Sequence, residues 1–260
     1  MKAVSSRENA AYKAMAKLAT SSSERRRRGL SLIEGAHLLD AYLGTGARPE
    51  EVLVTRAALA DCEIGKLVEK SAPARVTQLS DTLFDALSGV QAPSGVIACV
   101  RTPSARKVAP TAPLVLMLEN IQDPGNVGTL LRGAAAAGAG HVLMSPTCAF
   151  AWSPKVLRAG MGAHFGLNIV EGVDLESFLG TYGGTSIALA VDAESSLYDL
   201  DLRGPVAFVV GNEGAGLSEA LKARASKRAK IPMPGRMQSL NAGVAGTLCL
   251  FEAIRQRAGP

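Results

Sequence analysis

Three short stretches concentrate the residues able to do chemistry. The first is Asp123-Pro124-Gly125-Asn126-Val127-Gly128, followed by Thr129-Leu130-Leu131-Arg132. The second is Gly211-Asn212-Glu213-Gly214-Ala215-Gly216, and the third is Ser239-Leu240-Asn241, which follows a run with two prolines and a glycine. Glycines let backbone approach a ligand closely, while Asn and Glu supply directed hydrogen bonds. Phosphate cradles of the usual kinds are excluded: GNEGAG reverses the spacing of GxGxxG, and no Gly-Lys-Ser/Thr follows either glycine run. Taken singly, each stretch is also compatible with an ordinary strand-to-helix turn.

The elements that must position them alternate along the chain. In the first part, helices are expected over 7–19, 31–43, 57–70 and 81–88, with strands at 51–55, 75–79 and 95–100. TPSARKVAPTAP (102–113) then brings three prolines and loses the apolar period. This divides the chain into a small α/β domain over 1–104, a linker at 105–113 and a second domain over 114–260. Beyond the linker, near-continuous apolar strands are expected at 114–120, 141–145, 167–171, 186–191 and 206–210. Helices are expected at 129–138, from Pro154 to about 165, at 174–182, and from about Asn241 to Arg257. Buried-type strands alternating with helices mean a mostly parallel sheet covered on both faces, with ligands beyond its carboxyl ends. All three stretches fall after strands or before a helix.

Composition narrows the setting. With 47% hydrophobic residues in 260, there is enough apolar material for a real core. No stretch is long and apolar enough for a membrane span and the first residues lack the apolar core of a secretory signal, so a cytoplasmic protein is expected. Cys62, Cys99, Cys148 and Cys249 form no CxxC pair, and His37, His141 and His164 have no ligand spacing, so no metal site is expected. The net charge of +5 lies wholly within the first part of the chain. Residues 1–30 hold Lys2, Arg7, Lys13, Lys17 and the run Arg25-Arg26-Arg27-Arg28 against only Glu8 and Glu24. Such a patch binds nucleic acid with little sequence preference, or is simply a solvated surface.

Together, DPGNVGTLLRGAAAAGA, VVGNEGAGLS and IPMPGRMQSLNAGVAGTLCLFEAIRQR resemble, in order and spacing, the three signature motifs of the SpoU (TrmH) family of RNA ribose 2′-O-methyltransferases, in the SPOUT superfamily. LSLIEGAHLLDAYL and SGVIACV are similar to the L30e-like substrate-binding domain that precedes the catalytic domain in many members.

The resemblance implies an α/β fold with a mostly parallel sheet and a C-terminal deep trefoil knot, preceded by a small α/β L30e-like domain. It implies S-adenosylmethionine as donor, held near Ala190, Gly211, Gly214, Ile231, Met233 and Leu240. It implies a catalytic set of Asn126, Arg132, Glu213, Ser239 and Asn241. Arginine is almost always protonated, so Arg132 is expected to hold RNA phosphate and polarise the 2′-hydroxyl, with Glu213 orienting it and action as a general base the alternative that the family implies. Turn formation and helix capping are the competing roles for Asn126 and Asn241. Arg25, Arg26, Arg27 and Arg28 are the expected RNA contacts. The last helix suggests a homodimer, with core burial as the ordinary alternative for its apolar residues. The motifs most resemble the branch acting on 23S rRNA, including enzymes modifying a guanosine. A tRNA substrate, a non-catalytic RNA-binding adaptor and an enzyme of small nucleotides are the alternatives.

Overall fold

The computed structural model describes residues 1–259, which fall into two units. One comprises Met1–Ser104 together with Trp152–Phe165, and the other comprises Ala105–Ala151 and Gly166–Pro260.

The chain opens with β1 (Lys2–Val4), α1 (Ala10–Thr20), α2 (Ser22–Arg28), β2 (Leu30–Glu34), α3 (Ala36–Gly44), β3 (Glu51–Thr55), α4 (Arg56–Ala60), α5 (Cys62–Lys70), β4 (Arg75–Leu79), α6 (Asp81–Leu87) and β5 (Val96–Arg101). The strands form a mixed sheet in the order β1-β4-β3-β5-β2, with β5 antiparallel to both of its neighbours. Leu18, Leu53, Phe84 and Ile97 fill the core on one side.

Two expected helices are divided. The helix read over 31–43 is strand β2, then a turn at Gly35 with φ of 104°, then α3. A φ of that sign has no place inside a helix of L-residues. The helix read over 57–70 breaks at Asp61, whose extended backbone and carboxylate cap α5 by accepting from Glu63 N at 2.9 Å and Ile64 N at 3.0 Å. The Arg run, read as a charged surface, is helical because Ser21 caps its start and Gly29, left-handed at φ 60°, ends it.

The second half continues with β6 (Leu114–Leu118), α7 (Pro124–Ala136), β7 (His141–Met144), α8 (Pro154–Gly160), β8 (Asn168–Glu171), α9 (Leu175–Thr181), β9 (Thr185–Leu189), β10 (Val206–Val210), α10 (Glu219–Arg224), β11 (Lys227–Ala229) and α11 (Ala242–Arg257). Its strands form one wholly parallel sheet in the order β11-β9-β10-β6-β7-β8. LVLML and VAFVV are buried at every position, as strands covered on both faces must be. They pair in register from Val206↔Leu114 to Val210↔Leu118, so their carboxyl ends are level. Glu119 N donates to Val210 O at 2.9 Å just beyond.

Helix α7 begins earlier than the sequence suggests. Asp123 caps it by accepting from Asn126 N at 2.8 Å and Pro124 occupies its first turn, so Asn126 sits in the helix and not in a loop. Helix α11 lays Ala242, Gly243, Gly246, Cys249 and Ala253 inward against α7 and β10. Gly246 lets the elements meet closely: a Cβ would stand 2.4 Å from Leu130 Cδ2, so the buried Leu130 side chain would have to shift. Val244, Leu248 and Phe251 remain exposed, which overturns core burial as their explanation.

Helix α8 is shorter than expected and passes into a 3-10 turn at Ala163–Gly166. Its segment folds with the first unit. Arg158 Nη1 lies 3.7 Å from the Glu34 carboxylate, Arg158 Nη2 donates to Gly89 O at 3.2 Å, and Phe165 meets Tyr42 edge-on with centroids 5.3 Å apart. Residues of the expected linker are fastened within the second unit, where Asn168 bonds both main-chain groups of Arg106, at 2.8 and 2.9 Å. No helix among the described residues is long and apolar enough to cross a membrane.

Candidate active site

The level ends of β6 and β10 bring the first two sequence stretches side by side. Asn120, just past β6, adopts a left-handed backbone (φ 56°), a conformation asparagine tolerates better than most residues. Its N–H donates to Ser145 Oγ at 3.0 Å, and its carbonyl accepts from Asn212 Nδ2 at 3.1 Å. Asn212 in turn closes the loop after β10. Its Oδ1 accepts from Gly214 N at 2.9 Å and Ala215 N at 3.1 Å, and its main chain exchanges two hydrogen bonds with Gly216. Gly211 is held so tightly that a Cβ would lie 2.4 Å from the Gly216 carbonyl carbon.

The third stretch behaves differently. From Ile231 to Leu240 no hydrogen bond or ion pair forms among the described residues. Fastening resumes at Asn241. Its Oδ1 caps α11 by accepting from Val244 N at 3.2 Å, while its Nδ2 donates to Asn126 Oδ1 at 2.7 Å and Glu213 Oε1 at 3.0 Å. Asn126 Nδ2 also donates to Glu213 Oε1. Three side chains, one from each stretch, thus close a triangle. Asn241 is both a helix cap and a member of that triangle.

Beside the triangle, a cavity of about 600 Å³ spans the ends of β9, β10 and β11. Ala190, Gly211, Gly214, Ile231, Met233 and Leu240 all line it, and so do Glu213 and Ser239. Its walls combine apolar side chains with the main chain of a glycine loop, and its volume suits one small-molecule ligand. Asp192, Lys222 and Lys230 also border it and were missed in the sequence. Their positions past β9, on α10 and past β11 were the available signal.

Two expectations change. Glu213 receives the amides of Asn126 and Asn241, and no pair with Arg132 forms: Arg132 is exposed on α7 and makes no hydrogen bond or ion pair among the described residues. Arg25 is not part of a basic surface. It is only 5% exposed, and its Nη1 donates to Leu18 O and, at 3.1 Å, to Ala19 O at the end of α1. The four-residue run winds round a helix, so one member must face inward. Arg27 bonds Glu24 at 2.7 and 3.1 Å, and Arg26 and Arg28 are exposed.

Among the described residues, no group of His, Cys, Asp or Glu is arranged to hold a metal ion. Burial in α11 pushes the Cys249 thiol far above its ordinary range, so it stays protonated.

Residues 113–251 match the SpoU rRNA Methylase family, and residues 9–98 match the MRM3-like substrate binding domain. The chain belongs to the SpoU rRNA methylase family. Among its relatives, the 23S rRNA (guanosine(2553)-2′-O)-methyltransferase RlmP of Bacillus subtilis (strain 168) is 31% identical over 96% of this chain and 98% of that enzyme. The 23S rRNA (guanosine-2′-O-)-methyltransferase RlmB of Xanthomonas campestris is 40% identical over 56% of this chain, which spans only 60% of that enzyme. An AdoMet-bound rRNA methyltransferase from Sinorhizobium meliloti superposes with a TM-score of 0.85 at 26% identity, covering 98% of this chain and 97% of that one. In this SpoU chain, as the geometry above shows, all three signature motifs meet at one site.

Proposed function

We propose that this protein transfers a methyl group from S-adenosylmethionine to a ribose 2′-hydroxyl of ribosomal RNA, with a guanosine of 23S rRNA as the target class. The observation that carries the reading is the cavity whose wall includes Glu213 and Ser239, while Glu213 also closes the triangle with Asn126 and Asn241. A donor seat and a polar cluster therefore share one carboxylate-bearing loop. RlmP and RlmB act on guanosine in 23S rRNA, and the Sinorhizobium structure holds AdoMet, which supports both substrate and donor.

The residues fit the donor. Main chain at Gly211 and Gly214 can meet adenine and ribose polar atoms, and Ile231, Met233 and Leu240 can enclose apolar faces. Bound there, S-adenosylmethionine supplies an electrophilic methyl on a sulfonium. Transfer requires the ribose oxygen in line with that methyl, and the rigid triangle fixes the wall against which the nucleotide seats. Arg132, exposed and unengaged, holds the RNA phosphate and polarises the 2′-oxygen. As the carbon–oxygen bond forms and S-adenosylhomocysteine is released, the hydroxyl proton leaves to solvent.

RNA capture falls to the first unit in this reading. Arg26 and Arg28, with the exposed Lys2 and Arg7, offer a sequence-indifferent phosphate surface. A homodimer through α11 is part of the proposal, supported by the exposed stripe of Val244, Leu248 and Phe251. So is a trefoil knot, supported by a third loop that has no hydrogen bonds of its own and is fastened at Asn241 to the first two. The cytoplasm is the proposed site of action.

The test is transfer of labelled methyl from S-adenosylmethionine to separated 23S, 16S and transfer RNA from cells lacking the gene. Labelling of 23S RNA, mapped to a guanosine ribose and lost in Arg132→Ala, is the expected result. Labelling of tRNA alone overturns the substrate class, and donor binding without transfer to any RNA favours an adaptor. Sedimentation of Leu248→Asp tests the dimer, with a monomer expected.

A further inference from the structure

Asn212 does something that neither the cavity nor the triangle explains alone. Its carboxamide is divided between two tasks. The oxygen accepts from Gly214 N and Ala215 N, both on the cavity wall, at 2.9 and 3.1 Å. The nitrogen reaches across to the carbonyl of Asn120 at 3.1 Å, at the end of β6. Asn120 is available only because its backbone is left-handed, and Ser145 Oγ, from the end of β7, holds its N–H at 3.0 Å. A second brace runs parallel: Ser218 N donates to Glu119 Oε2 at 2.8 Å. The loop after β10 is thus bound at both ends to the strand end that leads into α7 and Asn126.

Glu213 is the residue next to Asn212. A carboxylate receiving two amides depends on its backbone standing in one place, and a shift of about 1 Å in such a group is enough to cost on the order of 100-fold in rate. We infer that Asn212 is a positioning residue whose oxygen shapes the donor seat and whose nitrogen, through Asn120 and Ser145, sets the reach of Glu213 toward Asn126 and Asn241. The two halves of one side chain therefore couple donor seating to the nucleotide wall. This rests on the methyltransferase reading above.

The two tasks separate by substitution. Asn212→Asp keeps an acceptor for Gly214 and Ala215 but sets an oxygen against the Asn120 carbonyl; Asn212→Ala removes both functions. Ser145→Ala takes away the acceptor of Asn120 N–H without touching the cavity wall. Donor affinity is read by calorimetry with S-adenosylmethionine, transfer by single-turnover labelling of the RNA substrate, and folding by thermal melting. Expected for Asn212→Asp and Ser145→Ala are a donor Kd within about twofold of the parent and transfer slowed about tenfold or more. Asn212→Ala is expected to lose both. Parent-like transfer in Asn212→Asp overturns the inference, as does loss of donor affinity, transfer and melting temperature in parallel in Asn212→Asp and Ser145→Ala. Should Asn212→Ala fail to fold, those two variants still decide. Failure of the parent protein to bind S-adenosylmethionine instead sinks the methyltransferase reading itself.

Discussion

Two loops border the same cavity and are held in opposite ways. The loop from Gly211 to Leu217 is closed by its own main chain, by the Asn212 side chain and by the strand end beside it. The loop from Ile231 to Leu240 has no such bonds; it leaves the sheet after Lys230 and is next fastened at Asn241. The first is shaped before any ligand arrives. The second presents free main-chain groups along the cavity, which water or a ligand must satisfy. One wall of the cavity is thus braced by its own hydrogen bonds and the other is not.

The sharpest way to break that contrast is Asn241→Ala, which removes the helix cap and both amide contacts of the loosely held loop. Transfer should fall on the order of 100-fold in single-turnover labelling, and parent-like rates would mean that the loop is held by other means. Gly211→Ala strikes the rigid wall, where a Cβ meets main chain at 2.4 Å. Thermal or denaturant melting should show a loss of about 1–3 kcal/mol. Hydrogen exchange sharpens the comparison without mutation: amides of Gly214 and Gly216 should be protected in the free protein. Those from Ile231 to Leu240 should exchange at least about tenfold faster and slow when S-adenosylmethionine is added. Equal protection of both loops would erase the distinction. The smallest effect belongs to Met237→Ala in the loose loop, where the side chain is 73% exposed. Stability should stay within about 0.5 kcal/mol of the parent.

The same contrast explains what could be read from the sequence. Strands such as LVLML and VAFVV are legible because burial on both faces demands an unbroken apolar run. The residues that family resemblance assigns to a donor, from Ala190 to Leu240, have no local pattern that marks them, and the structure gathers them round one cavity. The Asn212–Asn120–Ser145 chain was not legible. It joins residues 92 and 25 positions apart through a left-handed asparagine that no local pattern marks. Arg25 was misread for a related reason: charge is visible in a sequence, but the helix turn that points one of four arginines inward is not. In SLIEG the apolar residues also fit a helical period, and only Gly35 marks the strand's end.

One feature of the chain's path bears on inheritance. The segment Trp152–Phe165 is encoded between β7 and β8, yet it completes the unit that begins at Met1 and supplies Arg158 to the shielded carboxylate of Glu34. Recombination at the proline-rich stretch near residue 105 would therefore not move a whole cassette: the front piece would leave its arginine behind, and the back piece would carry a helix with nowhere to dock. A front half joined to another back half would keep the Glu34 contact only where that back half supplied an equivalent arginine.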